Sequence, residues 1–238
     1  MVYSTLDIVL PCYNPPIGWE KKVIETFKFF CKALPEVQTG LIIINDGSST
    51  DLTDAIAAIK KAVPFFIIDA HAPNKGKGST LRSGVAKSTA EICIYTDIDF
   101  PYTNESMLSI WKELAIKKTD IAVGIKNADY FTHVPPVRKY ISKLLQKMIR
   151  VFLGLTVRDT QCGLKGFNEK GKAIFLQTTI NRYLFDLEFI YLASKNKQVQ
   201  LSEIEIQLRP DVYFRAMNLR ILFTESINFL KIVLRRIF

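Results

Sequence analysis

Histidine is scarce, with two copies in 238 residues, and the four cysteines (Cys12, Cys31, Cys93, Cys162) lie far apart with no Cys-x-x-Cys pair. That scarcity argues against a zinc site and against a disulfide framework, and reads as reduced thiols in a cytosolic compartment. Eighteen consecutive apolar residues occur nowhere, so no membrane-spanning helix is expected. A secretory leader is not expected either, because Asp7 interrupts the first apolar run. Repeats and low-complexity segments are also lacking. The length suits one α/β domain with room for a C-terminal extension, and 48% apolar with 23% charged residues is ordinary for a globular chain. The charge is lopsided. A net +9 asks for an anionic partner: nucleic acid, a membrane surface or a phosphorylated substrate.

Apolar strands alternate with amphipathic helices. Leu6 to Leu10 reads as a strand closed by the rigid loop Pro11-Cys12-Tyr13-Asn14-Pro15-Pro16. A helix from Trp19 to Leu34 follows, with Val23, Phe27, Phe30 and Leu34 on one stripe. Leu41 to Ile44 is a continuous apolar run, as in a parallel strand covered on both faces. It ends in the polar turn Asn45 to Asp51, whose Ser, Thr and Asp side chains can cap the next helix. Phe65 to Ile68 is a third strand, and Asn74 to Thr80 opens a helix through Arg82 and Val85. The turn Gly76-Lys77-Gly78 is similar to a phosphate cradle but lacks the spacing of a nucleotide-binding fingerprint. A strand at Ile92 to Tyr95, a helix at Ser106 to Ile116 and a strand at Asp120 to Val123 complete a doubly wound, mostly parallel pattern. Ligands of such sheets bind beyond the carboxyl ends of the strands.

At one such end the chain places Asp97 and Asp99, with Pro101 stopping the strand. Residues two apart in an extended segment point the same way, so the two carboxylates should converge. Paired hard oxygen ligands suit Mg²⁺ or Mn²⁺ shared with a substrate diphosphate. A solvated Asp-x-Asp loop is the plainer alternative.

In chain order, Leu10-Pro11-Cys12-Tyr13-Asn14, Asn45-Asp46-Gly47-Ser48, Asn74-Lys75-Gly76-Lys77-Gly78 and Thr96-Asp97-Ile98-Asp99 together resemble a family 2 glycosyltransferase of the GT-A fold. The run Asp159-Thr160-Gln161-Cys162-Gly163-Leu164-Lys165-Gly166-Phe167 and the later Phe185-Asp186-Leu187-Glu188 are similar to the dolichyl-phosphate glucosyltransferase and dolichyl-phosphate mannose synthase branch. The resemblance spans about residues 5–215 and implies a catalytic domain over 1–215, followed by an amphipathic helix over 216–238. It implies that Pro11, Tyr13, Asp46 and Ser48 line the nucleotide pocket, and that Gly76, Arg82 and Lys126 lie on the donor side. Asp97 and Asp99 would hold the metal on the donor diphosphate. Two departures stand out. Pro15 replaces the family's usual acidic residue, and Gly124-Ile125-Lys126 replaces Gly-x-Arg, which keeps the charge but loses the bidentate fork.

The implied reaction is inverting transfer of a hexose from a nucleotide-diphosphate sugar to a polyprenyl phosphate. Asp159 is the first candidate for a carboxylate facing the acceptor, with Asp186 and Glu188 as reserves that could equally begin a helix. Arg138 and Arg215 are candidates for the acceptor phosphate. The segment Arg138 to Arg150 carries five basic residues and no acids, with Ile141, Leu144, Leu145 and Met148 at helical spacing. Near the C-terminus, Phe223, Ile227, Leu230, Leu234 and Ile237 form a second stripe beside Lys231, Arg235 and Arg236. Basic amphipathic helices suit an anionic membrane surface, so peripheral attachment on the cytoplasmic face is expected; core or dimer packing is the alternative for both. A saccharide hydroxyl is the rival acceptor. A silent nucleotide-sugar sensor is a third reading. Nucleic acid is disfavoured as a partner, because the basic residues interleave with aliphatic side chains and not with a stacking platform.

Overall fold

The computed structural model describes residues 3–126, 136–157, 159–210, 212 and 219–237. Seven strands form one sheet in the order β3-β2-β1-β4-β6-β5-β7. They are β1 (Thr5–Cys12), β2 (Gln38–Asn45), β3 (Phe66–Ala70), β4 (Ile92–Tyr95), β5 (Ile121–Lys126), β6 (Lys165–Phe167) and β7 (Leu201–Ile206). Strands β3, β2, β1 and β4 run parallel, as do β5 and β7, whereas β6 is antiparallel to both β4 and β5. The strand order reverses between β1 and β4, and ligands of open α/β sheets bind beside such a switch.

The expected two-sided burial of the second strand is present. Leu41 and Ile43 enter one apolar core, and Ile42 and Ile44 enter the other. The first core is closed by α1 (Trp19–Ala33), α2 (Thr53–Ala62) and α4 (Asn104–Ile116). Val23, Phe27 and Phe30 of the expected stripe are buried there, and Thr103 caps α4 by accepting from the Ser106 N–H. The second core lies under α3 (Lys77–Lys87), α6 (Glu169–Phe175) and α7 (Phe185–Lys195). Tyr95, Phe167, Phe175, Phe185 and Phe189 pack there with ring centroids 5.1–6.1 Å apart, so the strand leading to Asp97 is braced by aromatic contacts.

Helix α5 (Pro136–Met148) runs into a π-helical turn, Ile149–Leu153, whose Ile149 and Leu153 are buried. The C-terminal helix α8 (Leu219–Ile237) has two apolar faces. Phe229 and Ile232 are buried in the second core, while Ile227, Leu230 and Leu234 of the expected stripe face outward. Leu144, Val151, Phe152 and Tyr140 are likewise exposed, and Phe152 meets Phe229 edge-on at 6.3 Å. No described helix is long and apolar enough to cross a membrane.

Candidate active site

Six strand ends and the start of the reversed strand meet on one side of the sheet. Strand β4 stops at Tyr95, two residues before the first acidic residue. The two carboxylates are brought together by a turn and not by strand alternation: the Phe100 N–H donates to the Asp97 carbonyl at 3.0 Å, with Phe100 at φ 46. Ile98 points into the core. Burial, reinforced by the charge of Asp97, raises the pKa of Asp99 above the ordinary carboxylate range. Two carboxylates that disfavour each other's charge define a place for a cation. Lys77 Nζ already stands there, 2.5 Å from Asp97 Oδ1. Among the described residues no third His, Cys, Asp or Glu joins them. The donor set therefore fits Mg²⁺ or Mn²⁺ that takes its remaining ligands from water and a substrate diphosphate.

A neighbouring loop, residues 159–164, closes over this turn. A Cβ on Gly163 would lie 2.8 Å from Asp97 Oδ2, so only glycine permits the approach. The Gly163 N–H donates to the buried Tyr102 hydroxyl at 3.1 Å, and the chain around Tyr102 is clamped by Arg209, whose Nε donates to the Tyr102 carbonyl. In the same loop Asp159 Oδ2 lies 3.2 Å from Lys126 Nζ, and Oδ1 accepts from the Gln161 N–H. Two Lys–Asp pairs, Lys77–Asp97 and Lys126–Asp159, thus flank Gly163 and Tyr102.

Behind them lies a fully buried ion pair. Lys165 has no exposed surface; its Nζ donates to Asp186 Oδ1 at 2.6 Å and to the Cys162 carbonyl at 2.5 Å. The Tyr95 hydroxyl donates to the same Asp186 oxygen at 2.5 Å. Lys165 pairs with Tyr95 on one side and Val123 on the other, so it ties the acidic turn, the 159–164 loop and the first turn of α7 to the sheet.

Several expected residues carry other duties. Asp46 is buried, and its carboxylate accepts from Asn74 Nδ2 and the N–H groups of Lys75 and Gly76. His71 Nε2 lies 2.7 Å away, a hydrogen bond when that nitrogen carries a proton. Asp46 thus folds the 71–76 segment and does not present a free carboxylate. Gly76 adopts φ 97, and the Asn181 carbonyl accepts from the Gly78 and Ser79 N–H groups. The start of α3 is therefore closed by protein and is not an open phosphate cradle. Arg82 donates to the Thr178 hydroxyl, the Ile180 carbonyl and Asn181 Oδ1, which makes it a strut for that segment. Glu188 is buried and accepts from the N–H groups of Thr179 and Ile180, so it anchors the same segment and does not face an acceptor. Asp186 is likewise buried in its pair with Lys165 and positions its neighbours.

The remaining candidates lie at the ends of the first two strands or on the later helices. Tyr13 is 51% exposed at the end of β1, next to Pro11, which pairs with Ile44. Ser48 Oγ accepts from the Asn14 N–H at 3.0 Å, and Asn14 Oδ1 accepts from Ser49, which knits the first two turns together. Burial pushes the Cys12 thiol beneath them up to about 12. Arg138 lies on α5, but its side chain is outside the described residues, as is all of Arg215. Sequence reasoning assigned no role to Lys77, Lys165 or Tyr102. The signal for Lys165 was a lysine between Leu164 and Phe167, in a run otherwise fit for the core.

A mostly parallel sheet with one reversed strand and an acidic turn at the switch defines a GT-A-type nucleotide-sugar fold. Solved structures agree. Glucosyl-3-phosphoglycerate synthase from Mycobacterium tuberculosis, in complex with Mn²⁺, UDP and glucosyl-3-phosphoglycerate, has a TM-score of 0.67 at 16% identity, covering 98% of this chain and 80% of that one. Mannosyl-3-phosphoglycerate synthase from Rubrobacter xylanophilus has a TM-score of 0.71 at 13% identity, covering 98% and 74%. The glycosyl transferase family 2 model matches residues 7–172, and the chain belongs to that family. A dolichyl-phosphate beta-glucosyltransferase of Trichomonas vaginalis is 26% identical over 211 residues, 85% of this chain and 65% of its own length. The enzyme of that name from Saccharomyces cerevisiae is 25% identical over 221 residues, 84% of this chain and 66% of its own. This chain thus spans just under two thirds of these curated relatives.

Proposed function

We propose that the chain is an inverting glycosyltransferase that moves a hexose from a nucleotide-diphosphate sugar to a polyprenyl phosphate at an anionic membrane surface. The observation that carries this reading is the pair of Lys–Asp contacts around Gly163, one on the acidic turn and one on the neighbouring loop. The relatives' names favour glucose over mannose and dolichyl phosphate as the acceptor.

Asp97 and Asp99 would hold Mg²⁺ or Mn²⁺, which when bound acts as a Lewis acid on the departing diphosphate. The neighbours crystallised with UDP and Mn²⁺ or Mg²⁺ support this assignment. Exposed Tyr13 and the turn folded by Asp46 and Ser48 would border the nucleotide. Lys126 lies against Asp159, and together with that carboxylate it would border the incoming phosphate. Both Asp159 oxygens have partners, so Asp159 would have to release one to take a proton. That favours an acceptor needing no base. A lipid monophosphate, with a second pKa of about 6, is already largely anionic at pH 7. Arg138 and Arg215 remain candidates for the same phosphate. The outward apolar residues of α5, the π-helical turn and α8 stand beside exposed Lys143, Lys147, Arg150 and Lys231, a composition suited to peripheral binding on anionic lipid.

The test is to incubate the chain with Mn²⁺ and radiolabelled UDP-glucose or GDP-mannose, offering dolichyl phosphate, a bacterial polyprenyl phosphate or oligosaccharides. Label in the organic extract is expected. Label only in water-soluble saccharide would establish the hydroxyl-acceptor reading, and no transfer to any acceptor would refute both.

A further inference from the structure

Lys77 occupies the position that the acidic turn otherwise offers to a divalent ion. Its backbone is fixed at the start of α3: Lys75 and Gly76 are bound by Asp46, and Gly78 is pressed against the Ile180 carbonyl and the Phe185 side chain. Only its side chain can move. The side chain is one-fifth exposed, its ammonium contacts Asp97 at 2.5 Å, and it lies within the field of Asp99 and Asp186. Gly163 roofs the pair, with a virtual Cβ 2.8 Å from Asp97 Oδ2 and 3.5 Å from Lys77 Nζ. An ammonium and a divalent ion cannot both sit on one carboxylate without mutual repulsion.

We propose that Lys77 is the resident counter-cation of Asp97, which a divalent ion must displace, so that the nucleotide-free protein holds the ion weakly. A bound diphosphate supplies the negative charge that lets both cations remain, and so couples ion and nucleotide binding. By linkage the two ligands raise each other's affinity by the same factor. The inference rests on the cation assignment proposed above, and it gives Lys77 an effect of unusual sign: deleting a binding-site residue should tighten the ion.

The experiment is Mn²⁺ titration of the nucleotide-free chain, followed by the electron paramagnetic resonance signal of free Mn²⁺. Removing a charge-assisted contact, worth roughly 1.5–3 kcal/mol, should make Lys77→Met bind Mn²⁺ about 10- to 100-fold more tightly than the wild type. Lys77→Arg should stay weak, and Asp97→Asn should lose the ion. A merely structural lysine would leave the affinity unchanged or lower it, so folded Lys77→Met with wild-type or weaker Mn²⁺ binding overturns the proposal. Should that variant not fold, wild-type titrations with UDP and with GDP decide. At least one should strengthen Mn²⁺ binding tenfold or more, beyond the metal's measured affinity for the free nucleotide, and no strengthening by either overturns the proposal. If the wild type binds no Mn²⁺ even with nucleotide, the cation assignment falls and takes Lys77 with it. Binding with nucleotide but no gain in Lys77→Met removes only the role of Lys77.

Discussion

Replacing Lys165 by methionine should be among the most damaging single changes in the protein. The ammonium is completely buried and serves two acceptors, Asp186 Oδ1 and the Cys162 carbonyl. Methionine fills most of the volume, so the loss is electrostatic and not a cavity. It leaves the Asp186 carboxylate buried with the Tyr95 hydroxyl donating to it at 2.5 Å, and it strips the Cys162 carbonyl of its bond to the ammonium. Breaking a buried pair on one side costs about 3–5 kcal/mol. At roughly 2–4 °C per kcal/mol for a chain of this size, the melting temperature should fall by about 6–20 °C. Lys165→Met with Asp186→Asn removes both charges and keeps an acceptor for Tyr95, so it should recover about half of that loss or more. Urea unfolding of the wild type, both single variants and the double variant gives the coupling directly. A Lys165→Met cost below about 1 kcal/mol, or a double variant no more stable than the single, would refute the argument.

Asp97→Ala and Asp99→Ala should each abolish transfer and leave urea stability near that of the wild type; substantial activity of either variant in chelator would remove the metal from the mechanism. Asp46→Ala should unfold the 71–76 segment's anchorage, at about 1–3 kcal/mol for stranded buried donors, and weaken donor affinity; unchanged affinity by calorimetry would confine its role to the loop. Gly163→Ala should displace the Asp97 carboxylate and weaken Mn²⁺ and donor binding together, and normal binding of both would disprove the close approach. A membrane test that spares the core residues Phe229 and Ile232 is to change Ile227, Leu230 and Leu234 all to Ser. That variant should stay folded and leave anionic vesicles in flotation assays, and it should transfer poorly to long-chain acceptors; vesicle binding equal to the wild type would return the outward face to another use.

Much of the parallel half was legible. The continuous run Leu41 to Ile44, mostly β-branched and bounded by a polar turn, reads as a strand buried on both faces, and its residues do alternate between two cores. The acidic turn was legible as chemistry but not as geometry, because strand β4 ends earlier than the alternation argument assumes. Strand β6 was not legible at all. It has three residues, contains a lysine, and exists only because partners some forty to seventy positions away pair with it in reverse. The same limit explains Asp46, Arg82 and Glu188. A motif shows that a charged side chain is present, but not whether distant backbone groups will occupy it. Glu188 is engaged by Thr179 and Ile180, and Arg82 by residues 178–181, across contacts that a local pattern does not encode.

The reversed strand also separates what can vary from what cannot. The segment between the π-helical turn and β6 is held at one end by buried Ile149 and Leu153 and at the other by Lys165. It contributes Asp159 and Gly163, while the parallel strands supply the acidic turn and the loops that follow β1 and β2. A graft of residues 154–162 from another transferase, which leaves Gly163 and Lys165 in place, should therefore be accepted without rethreading the sheet.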